Sequence, residues 1–380
     1  MGWLPSVRLT SSGSAAYFFG FIFGCLQTQR LVERVGHIRL FASFAALVAA
    51  AVMVHALAVN LPVWIVARAA TGFCVAGLYV VIESWLNHQA ARETRGRLFG
   101  LYMVVNFVGL MAGQLLMVTM EVGSVTPFLV TGLAVCLSLV PVALSRATAP
   151  NVEPTPPLGL KPLFDISPLG VAGCLLVGLA NGAYWSLGAV YGSAQLGSDG
   201  LAAVFVSVFV LGGALGQVPL GRLSDRWDRR KVIVLTSAVA AAGGITLGVW
   251  PAPEFGILLV VGGLTGGFML AIYSLCVAHA NDHVDRKDFV AVSSGLLLFY
   301  AAGAISGPIL AAALMAVAGP PALFFLTAAA HILLAGYALY RMRQRGPVDE
   351  SARTDFVPMM RSMPVASEMD PRADTPPSAE

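Results

Sequence analysis

The chain has 380 residues, of which 57% are apolar and only 11% charged, with a net charge of +3. An average soluble domain is roughly 25% charged, so one water-soluble core cannot hide this much apolar surface, and a soluble globular fold is excluded. The five cysteines, Cys25, Cys74, Cys136, Cys174 and Cys276, fall inside apolar runs with no close pair, which supports neither a disulfide framework nor a metal site.

A helix needs about 20 residues to cross the ~30 Å apolar layer of a bilayer. Breaking the chain at Pro, Gly and charge clusters predicts spans near 13–29, 40–60, 62–86, 97–121 and 125–146. Six more follow, near 167–193, 199–221, 232–250, 254–280, 289–315 and 319–341. These eleven spans make an all-α polytopic membrane protein with two helical bundles, 1–146 and 167–341. The linker between them, 147–166, carries Pro150, Pro154, Pro156, Pro157 and Pro162, a composition that favours extended chain. The tail, 342–380, mixes prolines with charges and small residues and is expected to be disordered.

Charge orients the spans. Alternate loops and the tail hold 21 of the 23 Lys and Arg residues, and only Arg8 and Arg68 lie elsewhere. Cation-rich loops face the cytoplasm, so the carboxyl end is expected there and the amino end outside. Lys161, Lys231 and Lys287 follow Leu, Arg and Arg, so no phosphate-binding Gly-Lys exists, and no HExxH is present. Neither an enzyme nor an ATP-driven pump is supported, and no cofactor, metal or nucleic-acid partner is expected.

The two bundles repeat each other. At a shift of 192, "GCLQTQRLVERVGHIRLF" (24–41) falls on "GQVPLGRLSDRWDRRKVI" (216–233), pairing Gly24, Arg30, Leu31, Arg34 with Gly216, Arg222, Leu223, Arg226 and Glu33 with Asp225. At 194, Thr71-Gly72 falls on Thr265-Gly266, Tyr79 on Tyr273, and Gly109 and Gly113 on Gly303 and Gly307.

"GRLSDRWDRRKV" (221–232) resembles the signature loop of the major facilitator superfamily, which joins the second and third helix of each six-helix half. It departs from that signature at Arg222 and at Asp228, where Gly is usual; the first-half copy keeps Gly36 but has Glu33 for Asp. "VGHIRLFA", "IESWLN", "GRLFGLYMVVNFVGLMAGQ", "NGAYWSL" and "AHANDHVDR" are similar to a bacterial branch labelled YcaD-like. The resemblance implies the major-facilitator fold and a secondary active transporter of the bacterial inner membrane. It would move a small-molecule solute by alternating access, with proton coupling left open, as a monomer in the lipid bilayer. In the family the signature loop latches helix ends, which implies a conformational role for Glu33, Arg34, Asp225 and Arg226. A simple positive-inside anchor is the blander alternative. The span near 167 has no first-half mate, because a shift of 192 places it ahead of Met1, so the first of the family's twelve helices is expected to be missing from this sequence. The alternative function is therefore a transport-defective truncated product, or a membrane solute sensor.

Ionisable side chains deep in a bilayer normally face a cavity or a partner. Arg68 lies about 9 Å into its span and shares a stripe with Gly72, Ala76, Tyr79 and Glu83. A cavity or coupling role is favoured for Arg68, against structural hydrogen bonding to backbone. The spacing of Arg68, Gly72 and Ala76 also resembles the superfamily's fourth-helix motif, associated with proton coupling. Glu83 sits near the loop end, where an ion pair with Arg34 is favoured over proton carriage. Tyr102, Asn106, Gly109 and Gly113 form a second stripe, with close packing the leading reading for the glycines. Asn181, Tyr184 and Trp185 suit a polar, ring-bearing or hydroxylated solute, or serve packing equally well; Tyr273 and Tyr300 are lesser candidates.

Overall fold

With no water to hydrogen-bond them inside a bilayer, apolar segments must satisfy their backbone internally, and helices do so within one segment. The structure is a computed structural model that describes residues 4–58, 60–89, 95–120, 124–144, 160–250, 254–284, 289–344, 346 and 356. The first bundle holds α1 (Leu4–Val35), α2 (His37–Leu57), α3 (Leu61–Gln89), α4 (Arg95–Leu116) with a 3₁₀ turn at Met117–Thr119, and α5 (Thr126–Ala143). A short α6 (Leu160–Ile166) leads into α7 (Pro168–Leu196), α8 (Asp199–Arg226), α9 (Arg229–Val249), α10 (Phe255–Met269), α11 (Ile272–Asn281), α12 (Phe289–Ala318) and α13 (Ala322–Gln344). No strand occurs among the described residues.

Ten of the described helical stretches are long and apolar enough to cross a membrane, with α10 and α11 together forming one of them. The eleventh predicted span is helical within α1 but is not among the ten. Its apolar run is flanked by Ser11, Ser12 and Ser14 on one side and by Gln27, Gln29 and Arg30 on the other. Two boundaries differ from expectation. Residues 160–166, read as linker, form α6, with Pro162 in the first turn, where a missing N–H breaks no helical bond. Phe356, read as part of a disordered tail, packs over Gly221 of α8, and its N–H donates to Asp225 Oδ1 at 2.8 Å. Residues 342–344, also read as tail, complete α13; the predicted linker over 147–159, Arg92, Arg286, Lys287, residues 345, 347–355 and 357–380 of the tail, and the side chains of Asn87, Arg95 and Arg97 lie outside the described residues.

The repeat shows as shared crossings. A Cβ on Gly20 or Gly72 would overlap the Ala69 or Tyr17 carbonyl, so α1 and α3 meet backbone to backbone. Their repeat mates, Gly212 and Gly266, meet the carbonyls of Gly263 and Phe209 in the same way between α8 and α10. Small residues at these positions permit the close approach that drives helix association in lipid. In the second bundle α7 packs on α12, α13, α8 and α11. The bundles meet where α1 contacts α12 and α7, and where α4 contacts α8.

Candidate functional site

Both bundles wall a cavity that opens to solvent. The first contributes Tyr17, Phe18 and Phe21 from α1, Tyr79 from α3, and Phe107 and Leu110 from α4. Tyr17 and Phe21, one helical turn apart, share a face, and their ring centroids are 6.1 Å apart. The second bundle contributes Asn181 and Trp185 from α7, Gln217 from α8, Tyr273 from α11 and Tyr300 from α12. Tyr273 and Tyr300 meet edge to face at 4.9 Å.

The wall on the second side depends on a helix break that sequence reading missed. The predicted continuous span 254–280 divides at Leu270 and Ala271, between α10 and α11. Irregular backbone at membrane depth is tolerated where it lines a cavity, and Leu270 does line this one. Gln217 Nε2 donates to the Leu270 carbonyl at 3.4 Å, while Ser274 Oγ donates to Gln217 Oε1 at 3.3 Å. Gln217 is thereby held in place. Asn181, on the facing helix, is 3% exposed, and its Oδ1 has no hydrogen-bond partner among the described residues.

Four of the seven predicted cavity residues, Tyr79, Asn181, Trp185 and Tyr273, line this space. The other three do not. Arg68 is exposed on α3 and is not among the lining residues; it lies 11 residues before Tyr79, about 16 Å along the same stripe. Asn106 turns back on its own helix, its Nδ2 donating to the Tyr102 carbonyl at 2.9 Å. Tyr184 is 1% exposed and stacks on Phe209 at 3.8 Å, inside the second bundle's core. Sequence reading also missed Tyr17, Phe21, Phe107 and Gln217. The repeat carried no signal for them, since Gln217 falls on Cys25 and Tyr17 on Phe209.

The predicted latch residues are placed differently from one another. Glu33, Arg34 and Arg226 are exposed, whereas Glu83 is fully buried and accepts from the Tyr102 hydroxyl at 3.5 Å. At the second-half loop the central cation is Arg229, the first residue of α9, which is 2% exposed. Its Nε bonds Asp282 Oδ2 at 2.7 Å, its Nη1 donates to Ser224 Oγ at 3.2 Å, and its Nη2 lies 3.4 Å from Asp225 Oδ1. Asp225 thus faces a buried guanidinium, and that guanidinium belongs to Arg229 and not to the exposed Arg226. Asp228, the departure from the signature, caps α9: it accepts from the Arg230 N–H at 3.0 Å and pairs with the Arg230 guanidinium at 2.8 Å. Burial alone would raise the Asp228 pKa, but the hydrogen bonds and charge of Arg230 bring it below its ordinary value.

The family model described as "Major Facilitator Superfamily" matches residues 5–205 and 171–367. The chain belongs to the Major Facilitator Superfamily. Relatives from Shigella flexneri serotype 5b (strain 8401) and Escherichia coli (strain K12 / DH10B), both named "Uncharacterized MFS-type transporter YcaD", are 30% identical over 337 residues, 88% of this chain and 86% of each relative. It is a member of the YcaD-like branch, and an integral membrane protein of a transporter family. The fold is similar to that of a point mutant of the nucleoside transporter NupG, with a TM-score of 0.74 at 12% identity over 89% of this chain and 92% of that one. It is also similar to a point mutant of the Escherichia coli fucose:proton symporter FucP, with a TM-score of 0.51 at 14% identity over 89% and 94%.

Proposed function

We propose that this chain is a secondary transporter of the bacterial inner membrane that carries a small solute through the cavity by alternating access. One observation carries the reading: the repeat mates Tyr79 and Tyr273 face the same cavity from opposite bundles. Rocking one bundle against the other would then expose the same walls first to one side of the membrane and then to the other. The Arg229, Asp225 and Asp282 cluster supplies a contact that can hold in one state and open in the other. On the positive-inside reading this cluster and the carboxyl end lie on the cytoplasmic side. Glu83, a fully buried carboxyl group beside Tyr102, is the candidate for proton coupling, and Arg68 keeps a supporting role at the far end of the same stripe. The working unit is a monomer.

The test is transport from a mixture. Proteoliposomes of the purified chain are loaded with a bacterial small-metabolite extract, diluted into buffer, and the contents followed by mass spectrometry. The expected result is selective loss of one solute or one chemical class relative to empty liposomes. Equal retention of every solute in both preparations contradicts transport and favours the sensor.

A further inference from the structure

We infer that the carboxyl-terminal tail is a built-in ligand of the signature loop: Phe356 docks on Gly221 and Asp225 and holds the loop closed around Arg229. The tail's sequence already sets this residue apart. Phe356 is the only aromatic residue after Tyr340, and it opens "FVPMM" (356–360), the longest run of the tail without a charged, Ser, Thr, Gln or Gly residue. In a tail otherwise composed to stay in water, such a run marks a point of contact.

Two contacts make the dock. On the apolar side α8 presents bare backbone at Gly221, and the Phe356 ring lies where a Cβ would stand. The residue is half-buried and packs against the core of the second bundle, so its ring leaves water on docking. On the polar side the Phe356 N–H donates to Asp225 Oδ1 at 2.8 Å. An amide donating to a carboxylate makes a charge-assisted bond, stronger than one between neutral groups. The same oxygen lies 3.4 Å from Arg229 Nη2. The tail therefore grips the carboxylate in the orientation that faces Arg229.

Asp225 depends on this grip more than Asp282 does. The Asp282 side chain is 2% exposed and bonds Arg229 Nε at 2.7 Å, whereas that of Asp225 is 33% exposed and lies farther from the guanidinium. Of these two carboxylates, Asp225 is the one that can turn toward water once the tail leaves. Tethering favours the docked form. Phe356 follows Gln344, the last residue of α13, by 12 positions, and a tether this short keeps the local concentration of the ring at about 1 mM. A weak contact then suffices. On the transport reading above, opening of the loop accompanies rocking, and the docked tail is a brake on it; the docking itself does not rest on that reading.

Hydrogen exchange followed by mass spectrometry on the full chain in nanodiscs tests the dock, with Phe356→Ser and Gly221→Ala beside the unmodified chain. Gly221→Ala puts a Cβ in the place of the ring while raising helix propensity, which keeps the test valid if Phe356→Ser fails to fold. In the unmodified chain, amides around Phe356 should exchange about tenfold more slowly than those of 366–380. Either substitution should bring the two rates together and speed exchange across 222–228 by about threefold or more, with Pro168–Leu196 unchanged as the sign of intact folding. Equal exchange around Phe356 and in 366–380 of the unmodified chain overturns the inference, and so does exchange across 222–228 that stays the same when the tail is released. The brake is read in the metabolite experiment, where Phe356→Ser should raise the initial rate of solute loss by up to about tenfold, matching the protection lost. A rate that does not change overturns the brake while transport stands. If no solute moves, transport fails and the brake with it, and the exchange result still decides the docking.

Discussion

Where α1 crosses α3 and where α8 crosses α10, the same contacts recur: Gly72 receives the Tyr17 carbonyl, and its mate Gly266 receives the carbonyl of Phe209, the mate of Tyr17. The halves part company elsewhere. On α12, Gly303 and Gly307 lie against the Leu175 and Leu179 carbonyls of α7, whereas a Cβ on their mates Gly109 or Gly113 of α4 would meet no described atom of another helix within 4 Å. Burial follows, with 39% of the α12 span buried against 6% of the α4 span. The loops differ in kind. Arg229 is bound by two carboxylates, and at its repeat position stands buried His37, whose Nε2 shares a hydrogen bond with Ser84 Oγ at 3.2 Å. Asp228 caps α9 with its side chain, while Gly36 opens α2 at φ 81° with no side-chain cap. A shared backbone crossing needs only small residues at the right spacing and so survives divergence. Charge pairs and caps depend on the chemistry of particular side chains, both near in sequence, as Asp228 with Arg230, and far, as Arg229 with Asp282, and they have diverged here.

If the contacts of Arg229 carry more of the stability than the hydrogen bond between His37 and Ser84, removing this cation should show the largest effect. Arg229→Met leaves Asp282 and Asp225 without it and is expected to cost about 3–5 kcal/mol, against about 1 kcal/mol for His37→Leu. Unfolding of each variant in detergent measures both, and equal losses would erase the contrast. The helix crossings come next. Gly307→Leu forces α7 and α12 apart at a cost of about 1–3 kcal/mol, while Gly113→Leu, facing open space, should stay within about 0.5 kcal/mol. A comparable loss at Gly113 would show that another helix reaches α4 in the membrane.

The caps sharpen the comparison at its smallest scale. Gly36→Ala, strained at positive φ, should cost about 1 kcal/mol, and Asp228→Asn, which keeps a capping oxygen but loses the ion pair with Arg230, up to about 1 kcal/mol. Only the second should depend on pH. Because the Asp228 pKa is lowered in the folded chain, its contribution is present above the ordinary value of 3.8 and is lost as pH falls through the lower folded-state value. Unfolding midpoints of the wild type and Asp228→Asn should therefore converge only below about pH 4, while the gap for Gly36→Ala stays constant.

Much of this architecture was legible because it rests on local rules. Apolar runs bounded by Pro, Gly and charge gave the spans, and the 192 to 194 shift paired residues such as Gly72 and Gly266 that prove to sit at matching crossings. The cavity was half legible. Asn181 and Trp185, one turn apart on one face, were found together, but Tyr184 sits 100° around the helix from Trp185, and no local signal says which neighbour it meets. Arg68 and Tyr79 do share a stripe, yet depth decides which one reaches the cavity. Arg229 was hidden among the arginines of its cluster. What distinguishes it is Asp282, 53 residues away, which only the folded chain brings within 2.7 Å. The break at Leu270 was hidden too, since no Pro or charge marks it and its mate, Ala76, sits inside the unbroken α3.

The central claim, that one cavity opens alternately to the two sides of the membrane, can be tested without knowing the solute. Asn181→Cys is introduced into a chain whose exposed Cys136 is replaced by Ala, and a membrane-impermeant maleimide is added to right-side-out and to inverted vesicles. Alternating access predicts labelling of Cys at this position from both sides; labelling confined to one side, under every condition of pH and added metabolite, would contradict it.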